Sequence, residues 1–124
     1  MISLREVEQI HNLLIEEFGG AKGVRDYRAL DAAINRPFAT FGQEELYPNP
    51  IDKASAIIES ILINHPFIDG NKRTGYVLMR LLLLQSGQDI QAEQEEKYDF
   101  VISIASGKLA FEGIKLWLEE RLQK

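Results

Sequence analysis

From Tyr76 to Leu84 the chain reads YVLMRLLLL, and Arg80 is the only charge in it. Together with the residues from Asn71 and the stop at Gly87, this stretch predicts a helix over 71–86. A helix apolar nearly all round belongs at the centre of a domain, with other elements wrapped about it. The 124 residues are 45% apolar, enough for one packed core and one domain over 1–124.

Five more helices supply the wrapping. Ser3-Leu4-Arg5-Glu6 reads as a capping box, in which a serine hydroxyl and a glutamate three residues on satisfy orphan N–H groups. Val7, Ile10, Leu14 and Phe18 follow at helical spacing, and Gly19-Gly20 ends the helix. Asp26 caps a second helix to Asn35, whose inner face is Leu30, Ala33 and Ile34. Arg36-Pro37 closes it. Asn49-Pro50 opens a third helix ending near Asn64. The helix from Asn71 is the fourth; Glu93–Ser106 makes a fifth and Ala110–Leu122 a sixth, striped by Phe111, Ile114, Leu118 and Leu122. Trp117 falls outside that stripe and reads as surface or part of a partner groove. No β pattern stands out. Residues 38–49 read as a loop whose Phe38, Phe41, Leu46 and Tyr47 pack down as anchors, with a substrate-facing flap as the alternative. The expected architecture is all-α, a compact bundle of about six helices with a central buried helix.

Composition removes several functions. A net charge of −5 repels a nucleic-acid backbone, so no direct DNA or RNA partner is expected. Without cysteine there is no disulfide, thiolate or Cys-based zinc chemistry. His11 and His65 are the only histidines. His11, among apolar residues, reads as a structural, hydrogen-bonded group. The longest apolar run, Leu81–Leu84, is core and too short to cross a bilayer. With no signal-peptide pattern at the N-terminus, a cytoplasmic protein is expected.

Chemistry concentrates in His65-Pro66-Phe67-Ile68-Asp69-Gly70-Asn71-Lys72-Arg73. A loop entering a helix N-terminus presents free N–H groups and the positive end of the dipole, an anion site. Gly70 lets backbone approach a phosphate, and Asn71 can cap the helix. Lys72 and Arg73 put cations where a helix disfavours them, unless an anion visits. Asp69 beside phosphate is a natural magnesium ligand. His65 is a candidate base. Phe67 points to the core and pins the loop. The set describes phosphoryl or nucleotidyl transfer.

This segment resembles the Fic signature H-P-F-x-[D/E]-G-N-G-R-x-x-R, and its Asn71-Lys72-Arg73 resembles the Doc (death-on-curing) branch of that superfamily. Phe18-Gly19-Gly20, Gly23-Val24-Arg25-Asp26 and Arg36-Pro37 also look like Doc-type sequence. Arg25-Asp26 reads as an ion pair and helix cap. Two positions depart from the Fic form: Lys72 replaces a glycine and Tyr76 the last arginine.

The resemblance implies a toxin that uses ATP and Mg2+ to modify a Ser or Thr hydroxyl of a protein, with elongation factor Tu the known type of target. In the Doc branch the γ-phosphoryl group is transferred. Fic-type AMP transfer is the alternative, and a non-enzymatic co-repressor bound to an antitoxin is a second. His65, Asp69 and Arg73 are the implied catalytic residues. Gly70, Asn71, Lys72 and Arg73 are implied to hold ATP, and Asp69 the metal. A small Phd-like antitoxin is the implied partner. The self-inhibitory pattern [S/T]-x-x-x-E-[G/N] has no full match; Thr40–Glu45 and Ser55–Ser60 come nearest. Restraint in trans is therefore expected.

Overall fold

Local capping signals place the helix starts where the sequence suggests. The computed structural model describes residues 2–123. Helix α1 (Leu4–Phe18) begins at the Ser3–Glu6 capping box. Helix α2 (Tyr27–Asn35) begins where Asp26 accepts the Ala29 N–H at 3.1 Å. Helices α3 (Pro50–Asn64), α4 (Asn71–Gln85), α5 (Gln94–Ala105) and α6 (Phe111–Glu120) complete an all-α bundle of six helices among the described residues.

The centre of the bundle is α3, not α4. Ala54, Ser55, Ala56, Ile57, Ile58, Ile61 and Leu62 of α3 are fully buried. Helices α2, α4, α5 and α6 all pack on it. Its serines and charges disguise this in the sequence. Ser55 returns its hydroxyl to the Ile51 carbonyl at 2.8 Å. Asp52 pairs with Lys115 at 2.9 Å, and Glu59 with Arg36 at 2.9 Å. Helix α4 lies beside α3, burying Leu78, Met79, Leu82 and Leu83, while Leu84 is exposed. The Leu81–Leu84 run is thus only partly core. Gly75 allows the close approach: a Cβ there would sit 2.4 Å from Leu62 Cδ1.

The inner ridge of α1 is Val7, His11 and Ile15. Ile10 and Leu14 are half-buried, and Phe18 is exposed. Counting His11 as polar conceals this i, i+4 ridge.

Four two-residue strands were not expected. Thr40–Phe41 (β1) and Glu44–Glu45 (β2) pair antiparallel inside the supposed loop. There Phe38 and Tyr47 are half-buried, but Phe41 and Leu46 are exposed. Asp89–Ile90 (β3) pairs with Leu122–Gln123 (β4), so Leu122 leaves the α6 stripe for a strand. Trp117 stacks on Phe100 with centroids 3.8 Å apart, and the Arg121 guanidinium lies 4.2 Å from the Trp117 ring centroid. Among the described residues, no helix is long and apolar enough to cross a membrane.

Candidate active site

The nine-residue motif is the turn from α3 into α4. His65 ends α3 with φ 48° and ψ 59°, a left-handed conformation. A residue with a Cβ pays roughly 1–2 kcal/mol for it. Its side chain is exposed and lines a cleft. Pro66 and Phe67 are buried. The Asn71 side chain closes the turn on Phe67: Oδ1 accepts the Phe67 N–H and Nδ2 donates to the Phe67 carbonyl, both at 2.9 Å. Phe67 thus pins the loop as expected. Asn71 does not cap the helix; Gly70 (φ 75°) holds the N-cap position, with no side-chain cap bond. The opening N–H groups of α4 therefore have neither a capping side chain nor an intrahelical acceptor.

Asp69 is tied down by backbone. Its Oδ2 accepts the Ala21 N–H at 3.1 Å and its Oδ1 the Gly70 N–H at 2.9 Å. These two bonds, Ala21's first, hold its pKa below the ordinary aspartate range, with His11 and Lys72 adding favourable charge. Asp69 is therefore anionic at neutral pH.

The connection between α1 and α2 braces the motif from outside, a role the sequence reading missed. Val24 bridges Phe67 in antiparallel fashion, and the Ile68 N–H donates to the Gly23 carbonyl at 3.0 Å. The Arg25 and Asp26 N–H groups donate to the Pro66 carbonyl at 2.7 and 3.0 Å. The Arg25 side chain makes no pair with Asp26; it donates to the carbonyls of Asn64 (2.6 Å) and His65 (2.7 Å). The carbonyl end of a helix carries negative partial charge and acceptors without intrahelical donors, which draw the guanidinium away from Asp26. At Gly20 (φ 117°) a Cβ would lie 2.7 Å from Asp69 Oδ2. Gly20, just past the end of α1, thus also makes room for the carboxylate, a second use that local sequence does not reveal.

Lys72 and Arg73 are exposed on the first turn of α4. The Arg73 guanidinium sits 4.2 Å from the Phe18 ring centroid. Helix α5 forms the opposite wall. The resulting cleft has a volume of about 530 Å³ and is lined by His65, Ile68, Asp69, Gly70 and Tyr76, together with Lys72, Arg73 and the α5 residues Lys97 and Tyr98. No ion pair among the described residues includes Lys72, Arg73 or Lys97. Burial raises the Tyr76 pKa, partly offset by Arg80. Tyr76 is therefore a neutral phenol where a Fic protein has an arginine.

Among the described residues no cluster of three His, Cys, Asp or Glu side chains forms a metal cage. Asp69 still fits one kind of ion. Magnesium takes one or two carboxylates and completes its shell with phosphate oxygens and water. Each Asp69 oxygen accepts a single N–H, so each retains a lone pair.

The Fic/DOC family model matches residues 1–83, which includes the whole motif. The chain belongs to the Fic/DOC family. It is 43% identical over 76 residues to the protein named Toxin Doc of Mycolicibacterium smegmatis. That match covers 61% of this chain and 58% of the relative. It is 26% identical over 113 residues to the Protein kinase doc of Escherichia phage P1, covering 91% of this chain and 88% of the phage protein.

Proposed function

We propose that this protein is the toxin of a toxin–antitoxin pair and transfers the γ-phosphoryl group of ATP to a Ser or Thr hydroxyl of a protein, a translation factor such as elongation factor Tu. One observation carries the proposal. An uncapped helix N-terminus, the unpaired cations Lys72 and Arg73, an anionic Asp69 and an exposed His65 share one cleft. That is an anion site with a carboxylate and a base beside it.

In this reading His65 accepts the proton as the hydroxyl oxygen bonds to the γ-phosphorus. The bond from that phosphorus to the bridging oxygen breaks, and ADP leaves. Lys72 and Arg73 neutralise charge on the phosphoryl oxygens. Gly70 and the backbone N–H groups from Asn71 onward cradle phosphate, while the Asn71 side chain keeps the turn in shape. Asp69 would hold Mg2+, whose chemistry there is to neutralise phosphate oxygens.

AMP transfer is the second reading. Two features favour γ-phosphoryl transfer: Lys72 fills the place of a glycine, and Tyr76 supplies no second cationic clamp. The name of the phage relative points the same way. A Phd-like antitoxin remains the proposed partner, with co-repression through it as a further role. Incubating the protein with lysate and ATP labelled at the α or γ position tests the chemistry. Label should reach a protein only from the γ position, and His65→Ala should abolish it. Transfer of α label would establish AMP transfer instead.

A further inference from the structure

Helix α1 stops at Phe18, because Gly19 (φ 89°) and Gly20 (φ 117°) leave the helical region. Phe18 is 58% exposed and lies outside the hydrophobic core. Its ring instead meets Arg73, whose guanidinium carbon sits over it, 4.2 Å from the centroid. Arg73 lines the cleft, while Phe18 stands outside that lining. Four other arginines commit their donors. Arg25 donates to two carbonyls, Arg36 to Tyr47, Ser60 and Ala56, Arg80 to Asp89, and Arg121 to Glu96. Arg73 makes no such bond and no ion pair among the described residues; what it meets is the face of a ring. A ring attracts a cation through its quadrupole and takes none of the N–H donors, which point outward in the guanidinium plane. A carboxylate in that place would occupy the donors and cancel the charge. Phe18 holds Arg73 without competing with an anion. Just beyond it, the Ala21 N–H holds Asp69. The end of α1 thus reaches two charged groups of the motif from outside the cleft.

We propose that Phe18 is a positioning residue: its ring holds the Arg73 guanidinium in place before the nucleotide arrives, with the N–H donors left for phosphate oxygens. This rests on the reading of the cleft as a nucleotide site and adds to it a residue that touches no substrate. Ordering a long side chain in advance removes an entropy cost from binding. The gain cannot exceed the strength of the contact, which at an exposed site corresponds to about a twofold to fivefold change in affinity.

Calorimetric titration of ATP with magnesium present tests it. Phe18→Leu keeps an apolar side chain and loses the ring, so it should weaken ATP about twofold to fivefold. Phe18→Tyr keeps the ring and should bind ATP as wild type does. In an Arg73→Ala background Phe18→Leu should change nothing further, because the cation is gone. Equal affinity of Phe18→Leu and wild type would overturn the inference and leave the nucleotide reading intact. So would tighter binding by Phe18→Leu, which would mean that the ring competes with phosphate for the guanidinium. An equal loss with and without Arg73 would overturn it too, because Phe18 would then act through the fold. If wild type binds no ATP, the nucleotide reading and this inference fall together.

Discussion

The His11 imidazole lies flat on the Phe67 ring, centroids 3.9 Å apart and planes 7° from parallel, and its Nε2 is 2.8 Å from the Asp69 carbonyl oxygen. A carbonyl only accepts, so Nε2 carries the hydrogen and donates. One buried side chain of α1 therefore fixes both the anchor of the motif turn and the peptide between Asp69 and Gly70.

His11→Phe keeps a ring for the stack and removes the donor. The Asp69 carbonyl then loses its partner in a part-buried setting, at a cost of about 1–3 kcal/mol. Urea unfolding should show that loss as a lower midpoint with an unchanged slope. Transfer by the folded variant should also slow, because the Asp69–Gly70 peptide is no longer held.

His65→Gly separates folding from chemistry. The left-handed angles of His65 suit glycine better than histidine. The variant should be at least as stable as wild type in thermal melts, while phosphoryl transfer disappears. A marked drop in melting temperature would mean the His65 side chain supports the fold.

Acid should loosen the motif through Asp69. Its folded pKa is lowered by the Ala21 and Gly70 N–H bonds. A depressed carboxylate contributes stability that is fully present above its unfolded pKa and is lost as pH falls through the folded one. Wild type should therefore exceed Asp69→Asn in stability near pH 6, and the gap should close below about pH 4. Equal acid dependence in the two proteins would show that the bonds contribute nothing. Asp69→Asn should also weaken the magnesium dependence of ATP binding.

Gly75→Ala should destabilise by about 1–3 kcal/mol, as overpacking does. The added methyl meets Leu62 Cδ1 at 2.4 Å and must push α4 from α3. Because α4 carries Lys72 and Arg73, ATP affinity should fall as well. The double variant Gly75→Ala, Leu62→Ala should recover part of the fit, measured by urea midpoint and calorimetry together.

Much of the site is legible along the chain because it is contiguous. His65, Asp69, Gly70, Lys72 and Arg73 sit within one turn and one helix start. The partners of that turn are not contiguous. The sequence sets Arg25 beside Asp26, yet its side-chain hydrogen bonds reach forward 39 and 40 residues. Phe18 shares the helical spacing of Val7, Ile10 and Leu14, yet it is exposed and carries the Arg73 guanidinium. In both cases the competing partner becomes available only once α1, α3 and α4 have packed.

Six helices, the Ser3 and Asp26 caps and the turn from α3 into α4 follow from the sequence by itself. Caps, periodicity and turn residues act between groups at most four positions apart, so every participant is visible in one short window. The tertiary structure alone decided that α3 holds the centre, that His11 supports a turn 58 residues away, and that α5 faces the motif across a cleft. Those outcomes depend on which surfaces exclude water together and which buried donors find acceptors. No local window contains both halves of such a contact.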